Sequence, residues 1–247
     1  MNYCVIGFPL SHSFSPSYFQ RKFEELHLSH FRYSACELAD IAQVKDLIQS
    51  KQLSGFNVTI PYKQSVMAQL DEIDETAEEI GSVNCVKVYW EGNNFRTKGF
   101  NTDWIGFTHL LDSLKTKPKD ALVLGTGGAA SAIHFALQKA GISNASVSRN
   151  KSSGNFTYPE LDENLLNNID LIVNTTPLGM YPNTNHKPEI PYHFLSPRHA
   201  LIDLIYNPKS TAFLNEGKRM GCETVNGLEM LHIQAEASWE IWMSPQL

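Results

Sequence analysis

Residues 121–132, reading ALVLGTGGAASA, constrain the fold more than any other stretch of the chain. Residues 121–124 form a short apolar run. It breaks into Gly125-Thr126-Gly127-Gly128, then resumes as a helix former through Ala129, Ala130, Ala132, Ile133, Phe135, Ala136 and Leu137. A buried strand feeding a tight glycine turn and a helix start builds an anion site. The first N–H groups of a helix are unpaired and partly positive, and glycine lets a diphosphate approach them. The spacing is G-x-G-x-x-A, a tolerated form of the dinucleotide-binding fingerprint. A plain βα turn reads the same way, so the flanking segments have to decide.

Those flanks belong to a chain of 247 residues, enough for one large domain or two small ones. A net charge of −6 argues against nucleic-acid or membrane-surface partners, which call for clustered Lys and Arg. Cys4, Cys36, Cys85 and Cys222 stand far apart with no C-x-x-C, and read as buried thiols in a reducing compartment. No cluster suggests a metal. Met1 runs straight into a strand-like stretch with no basic leader, and no apolar run reaches membrane-span length. The expectation is a cytoplasmic protein.

Before the glycine strand, residues 2–7 and 31–36 read as strands, and Ser15-Pro16 as a helix N-cap followed by proline. Phe19, Phe23 and Leu26 then share a helical face, as do Ile41, Val44, Leu47 and Ile48. Residues 55–60 form a strand stopped by Pro61, residues 71–80 an acidic helix, and the turn 91–94 closes a hairpin. A domain boundary falls near residue 102, where a helix begins that turns Phe107, Leu110, Leu111 and Leu114 inward. Beyond the linker 115–120, strands at 121–124, 145–148, 170–174, 200–204 and 223–225 alternate with helices. That pattern predicts an α/β, doubly wound, mostly parallel sheet. A last helix over 228–243 aligns Leu231, Ala235, Trp239 and Trp242 and is suited to pack back on the first half.

In such a sheet the ligand lies outside the carboxyl ends of the strands. Arg149 follows the second strand where an NAD-preferring domain carries an acid. Ser148-Arg149-Asn150-Lys151-Ser152-Ser153 has none, which favours the 2′-phosphate of NADP. Reducing a ketone also needs a proton donor and groups that hold the substrate. Ser13 and Ser15 suit a carboxylate, although Ser15 equally suits a cap. Lys63 suits a proton donor, but equally a solvated lysine. Asp103 also suits the first turn of a helix, and Asn57, Thr59 and Asn84 also suit turns or ladders.

Eight ordered motifs narrow these choices: GFPLSHSFSP, GFNVTIPYK, GSVNC, GFNTDWIGF, LGTGGAAS, DLIVNTTPLGM, DLIYNP and NGLEMLHIQA. In that order, over residues 5–242, they resemble the shikimate dehydrogenase family. The resemblance implies two domains: an N-terminal α/β substrate domain (1–102, completed by the C-terminal helix 228–247), and a Rossmann-like NADP(H) domain (103–227). It implies reversible reduction of 3-dehydroshikimate to shikimate by NADPH, on the route to aromatic amino acids. Ser13 and Ser15 match the carboxylate-binding pair, and Thr59, Asn84 and Gln234 the groups on the ring hydroxyls. Tyr206 matches a further substrate contact, and Lys63 with Asp103 the catalytic pair, Asp103 also touching substrate. Gly125, Thr126, Gly127, Gly128 and Ala129 match the diphosphate site, and Ser148, Arg149 and Asn150 the 2′-phosphate site. Leu204 and Gly227 match positions at the nicotinamide end. The implied protein is a monomer or homodimer.

The chain departs from the family pattern in places. The usual Asn-Arg-Thr is Ser148-Arg149-Asn150, the His-Asn after Ser-Pro is Phe19-Gln20, and the terminal Trp-Thr-Gly is Trp242-Met243-Ser244. Only 20 residues separate Arg149 from Asp170, room for one short helix over about 160–167 and a trimmed sheet edge, with a more open adenosine pocket. Two rivals remain. A quinate/shikimate dehydrogenase with relaxed NAD use would carry an acid within 150–153, and a non-catalytic sensor would have lost Lys63 or Asp103.

Overall fold

The computed structural model describes residues 1–10 and 14–245. They divide into two compact units, one of Met1–Thr102 with Ala235–Leu247 and one of Asp103–Gln234. The long last helix, α8 (Leu228–Met243), contributes its start to the second unit and its end to the first.

The first unit is built on strands β1 (Asn2–Gly7), β2 (Arg32–Glu37), β3 (Leu53–Val58), β4 (Glu72–Ile73), β5 (Cys85–Glu91) and β6 (Asn94–Phe100). Their order is β2-β1-β3-β5-β6-β4. The β1 pairings with β2 and β3 are parallel, and β5 pairs antiparallel with both β3 and β6. Helices α1 (Ser15–Glu25), α2 (Val44–Lys51) and α3 (Glu75–Ile80) complete it. One face of the sheet is covered by Phe19 and Phe23 of α1 together with Trp242 of α8, which lies 4.7 Å from the Tyr3 ring. Gly55 makes that possible, because a Cβ there would stand 2.5 Å from Trp242 Nε1. The indole N–H donates instead to Val86 O at 3.0 Å. The end of α8 is tied to α1 by Glu236, which accepts from Tyr18 and Lys22. At its C-terminus, Lys87 Nζ donates to Ser244 Oγ at 2.9 Å and to Ser244 O, a cation satisfying orphan helix-end acceptors.

Three local expectations need correcting. Ser15 is not the N-cap: α1 already includes it, Phe14 precedes it without a side-chain cap, and Ser17 Oγ turns back to Phe14 O at 2.9 Å. Leu26 does not share the buried face, because α1 ends before it and leaves it 48% exposed. The acidic helix is confined to α3, with Asp74 capping it through Thr76 N. The preceding Glu72-Ile73 extends the sheet beside β6, a tertiary pairing that local acidity does not announce.

Ser82 is fully buried, and its hydroxyl has no hydrogen-bond partner among the described residues. An unmet buried hydroxyl costs stability that alanine does not. Ser82→Ala is therefore expected to raise the unfolding free energy by about 1 kcal/mol, read from the urea midpoint. A lowered midpoint would show that the hydroxyl is satisfied.

The second unit begins with α4 (Asp103–Ser113) and carries an all-parallel sheet. Its strands are β7 (Asp120–Leu124), β8 (Ser143–Ser148), β9 (Phe156–Thr157), β10 (Leu171–Asn174), β11 (Ala200–Asp203) and β12 (Glu223–Asn226). Helices α5 (Gly128–Lys139), α6 (Glu163–Leu166) and α7 (Ala212–Arg219) lie between strands. The order β12-β11-β10-β7-β8-β9 is that of a doubly wound sheet. The chain leaves central β7 toward β8 and β9, then returns to β10 and runs outward the other way. The carboxyl ends of β7 and β10 are thus its topological switch point. Apolar side chains fill both faces: Leu122, Leu124 and Ile172 on one, Ala121, Val123 and Leu171 on the other. Between Arg149 and Asp170 the crossover holds the two-residue edge strand β9, the one-turn helix α6 and two 3₁₀ turns, Lys151–Ser153 and Tyr158–Glu160.

Candidate active site

In the first unit, candidate substrate residues stand at the carboxyl end of β3, just before β5 and in the first turn of α1. Thr59 follows β3 directly. Its N–H donates to Ile6 O at 2.9 Å, and Gly7 accommodates its methyl, since a Cβ there would lie 2.5 Å from Thr59 Cγ2. The turn that follows is pinned by buried Tyr62, whose hydroxyl donates to Leu38 O at 2.6 Å. Lys63, half-buried, comes next, and its carbonyl accepts from Val83 N at 2.8 Å. Asn84 is buried, with its backbone N–H on Phe100 O at 3.0 Å. Ser15 is half-buried in the first turn of α1 and engages the Tyr33 phenol. Ser13 lies outside the described residues.

A buried polar cluster leads to Asn84, and sequence reading left its members Tyr33, Thr102 and Ser238 without roles. Tyr33 OH donates to Asn57 Oδ1 at 2.7 Å. Asn57 Nδ2 donates to Ser238 Oγ at 2.9 Å and to Asn84 O at 3.2 Å. Thr102 Oγ1 lies 3.3 Å from Ser238 Oγ and accepts from Asn84 Nδ2 at 2.9 Å. Burial pushes the Tyr33 phenol well up, so at neutral pH it is a donor. Only the motif strings containing Asn57, Asn84 and Thr102 hint at such a cluster, and nothing local singles out Tyr33 or Ser238.

In the second unit, Asp103 opens α4 and is buried. The glycine loop leaves β7 with Gly125 at φ +112, a conformation that favours glycine. A Cβ at Gly125 would also lie 2.6 Å from Thr175 Oγ1. Gly127 is the N-cap of α5 and brings no side chain to its first N–H groups, and a Cβ there would meet nothing within 4 Å. An open, uncapped start to a twelve-residue helix at the switch point fits a dinucleotide diphosphate. Thr126 is exposed beside it, and Gly128 and Ala129 form the first turn.

At the end of β8, Ser148 Oγ accepts from Asn150 N at 3.3 Å, and Arg149 is exposed. Lys151, the other cation of this loop, is committed elsewhere: its Nζ donates to Glu160 at 2.8 Å and to Asn155 O at 2.8 Å. Lys151 and Thr157 hold the Glu160 carboxyl down to about 2.

Leu204 and Gly227, far apart in sequence, meet here. Gly227 packs so closely on the Leu204 carbonyl that a Cβ would overlap it at 2.0 Å. Tyr206, half-buried, follows two residues later. Gln234 is buried on α8, its Nε2 donating to Leu231 O at 2.9 Å.

The loops after β10 and β11 are held by a second cluster. Asp203 accepts from Thr211 Oγ1 at 2.5 Å, Asn174 Nδ2 at 3.0 Å and Ile205 N at 3.1 Å. Burial outweighs these donors and raises its carboxyl to about 6. With the folded value above the ordinary 3.8, the aspartate's stabilising contribution is complete below that value and is lost as pH climbs through about 6. Wild-type stability relative to Asp203→Asn is therefore expected to fall by about 2 kcal/mol between pH 4 and pH 7. Urea unfolding of both proteins across that range checks it, and a flat difference would refute it.

Among the described residues, no group of three or more His, Cys, Asp or Glu is arranged to hold a metal ion, and no helix is long and apolar enough to cross a membrane.

Known proteins share this arrangement. The family model of the shikimate dehydrogenase substrate binding domain matches residues 5–86. A shikimate dehydrogenase (NADP(+)) of Methanococcus maripaludis is 38% identical, over 96% of this chain and 90% of that protein. The crystal structure of shikimate dehydrogenase 1 from Peptoclostridium difficile superposes with a TM-score of 0.86 at 36% identity, covering 100% of this chain and 92% of that one. The Thermus thermophilus shikimate 5-dehydrogenase, solved in complex with NADP(H) and shikimate, gives a TM-score of 0.84 at 30% identity over 98% and 93% of the two chains.

Proposed function

This chain belongs to the shikimate dehydrogenase family, and we infer that it catalyses the reversible NADPH-dependent reduction of 3-dehydroshikimate to shikimate. It is an NADP-dependent oxidoreductase of the shikimate pathway. The observation that carries this is extent: the likeness runs through both units, over 96% of this chain and 90% of one relative.

When bound, NADPH supplies the hydride that reduces the carbonyl carbon. Hydride addition leaves negative charge on the carbonyl oxygen, and in this reading the Lys63 ammonium stabilises that charge and gives up its proton to it. Asp103 orients Lys63 and holds a substrate hydroxyl. Ser13 and Ser15 hold the carboxylate; Thr59, Asn84, Gln234 and Tyr206 hold the rest of the ring. The cofactor is held by the uncapped N–H groups of Gly127, Gly128 and Ala129 with Gly125 and Thr126, and by Ser148, Arg149 and Asn150 at the 2′-phosphate. Leu204 and Gly227 border its nicotinamide. The same reading places the protein in the cytoplasm, as a monomer or homodimer, and four free thiols at buried positions support a reducing compartment.

Nucleotide absorbance tests this directly, with shikimate or quinate paired with NADP or NAD in all four combinations. Fast turnover with shikimate and NADP alone is the expected result. Comparable rates with quinate or NAD would move the assignment to a broader dehydrogenase, and no turnover in any pairing would overturn it.

A further inference from the structure

We propose that Tyr33 and Ser238 are positioning residues for the substrate. The hydrogen-bonded chain from Tyr33, beside Ser15, through Asn57, Ser238 and Thr102 to Asn84 sets the two polar ends of the substrate site relative to each other. The inference rests on the reading above, in which Ser15 holds the carboxylate and Asn84 a ring hydroxyl.

What the chain of contacts fixes is amide orientation. A side-chain amide has a donor end and an acceptor end of nearly the same shape, and its partners decide which points where. Around Asn57 those partners leave one answer. Asn84 O, 3.2 Å away, can only accept, so the end facing it is Nδ2. A reversed amide would set oxygen against oxygen. The other end is then Oδ1, and Tyr33 OH donates to it at 2.7 Å. Nδ2 gives a second hydrogen to Ser238 Oγ at 2.9 Å, which brings α8 into the chain.

Ser238 passes the constraint on. Its hydroxyl lies 3.3 Å from Thr102 Oγ1. Thr102 grips both ends of the Asn84 amide, its N–H on Oδ1 at 2.7 Å and its Oγ1 accepting from Nδ2 at 2.9 Å. Ser238 and Thr102 are fully buried, Asn84 and Asn57 nearly so, so water cannot stand in for a missing member. At the far end the Tyr33 phenol engages Ser15. The contacts span strands β2 and β3, the entry to β5, and α8. Strand pairing alone would hold the backbones of β2, β3 and β5 but would leave the side chains of Tyr33 and Ser238 unlinked to the Asn57 and Asn84 amides.

Tyr33→Phe and Ser238→Ala each delete one hydroxyl and little volume. Each is expected to raise the KM for shikimate about tenfold, with the KM for NADP within twofold of wild type. If both act through the one hydrogen-bonded chain, a single break already uncouples its two ends, so Tyr33→Phe/Ser238→Ala should match the worse single variant. Independent packing defects would instead multiply toward a hundredfold. A shikimate KM within twofold of wild type in Tyr33→Phe overturns the inference, even if Ser238→Ala fails to fold. So do multiplying losses, or equal losses for shikimate and NADP. A wild-type protein without turnover overturns the functional reading and this inference with it. An active wild type with indifferent variants overturns this inference alone.

Discussion

Lys63→Ala is expected to slow shikimate oxidation by about 1,000-fold while the affinity for NADPH, measured by nucleotide fluorescence, stays within twofold of wild type. The separation follows from where the residue stands. Lys63 belongs to the first unit, in the turn after β3, whereas the glycine loop and Arg149 belong to the second. In the proposed mechanism, removing the ammonium that steadies a developing alkoxide and then protonates it raises the barrier to chemistry without touching the glycine loop. The backbone should survive the change, because the turn is held by Tyr62 OH on Leu38 O and by Val83 N on the Lys63 carbonyl, neither of which needs the lysine side chain. Turnover near the wild-type rate would remove Lys63 from the mechanism. A parallel loss of NADPH affinity would show that the variant has disturbed more than the proton donor.

The second large effect is expected at Arg149→Ala: a rise of about thirtyfold in the KM for NADP, with the KM for NAD unchanged within twofold. The two nucleotides differ only in the 2′-phosphate, so the ratio isolates that group. The structure sharpens the expectation beyond what the basic loop suggests. Lys151 gives its ammonium to Glu160 and Asn155 O and braces the edge of the sheet, while Arg149 is exposed at the end of β8. A guanidinium also offers paired donors to phosphate that a lysine cannot reproduce. Equal losses for NADP and NAD would refute the 2′-phosphate role and turn attention to the diphosphate end.

How legible each feature was depended on the distance over which it is determined. The strand, glycine turn and helix at residues 120–139 are legible because each depends on its neighbours: an apolar run, glycines that accept φ +112 and no capping side chain, and alanines that favour helix. The hairpin at Gly92 and the inward face of α4 are legible for the same reason. Ser15 misled as a cap because Ser-Pro satisfies the local rule equally well one residue into a helix. Strands β4 and β9 went unread because two residues carry no periodicity, and only their partners β6 and β8 make them strands.

The amino-acid sequence by itself determined the α/β class, the parallel sheet of the second half, the glycine turn at its centre and the family to which the chain belongs. Each of these is written in residue types at fixed short spacing. The tertiary structure alone decided that Gly227 abuts the Leu204 carbonyl, that burial raises Asp203, and that Tyr33, Asn57 and Ser238 form one hydrogen-bonded chain. Asn57 and Ser238 are 181 positions apart. A hydrogen bond across that interval exists only because α8 ends against the first sheet, with Trp242 seated over Gly55. Burial then makes each such bond matter, since a polar group taken from water must find its partner within the fold.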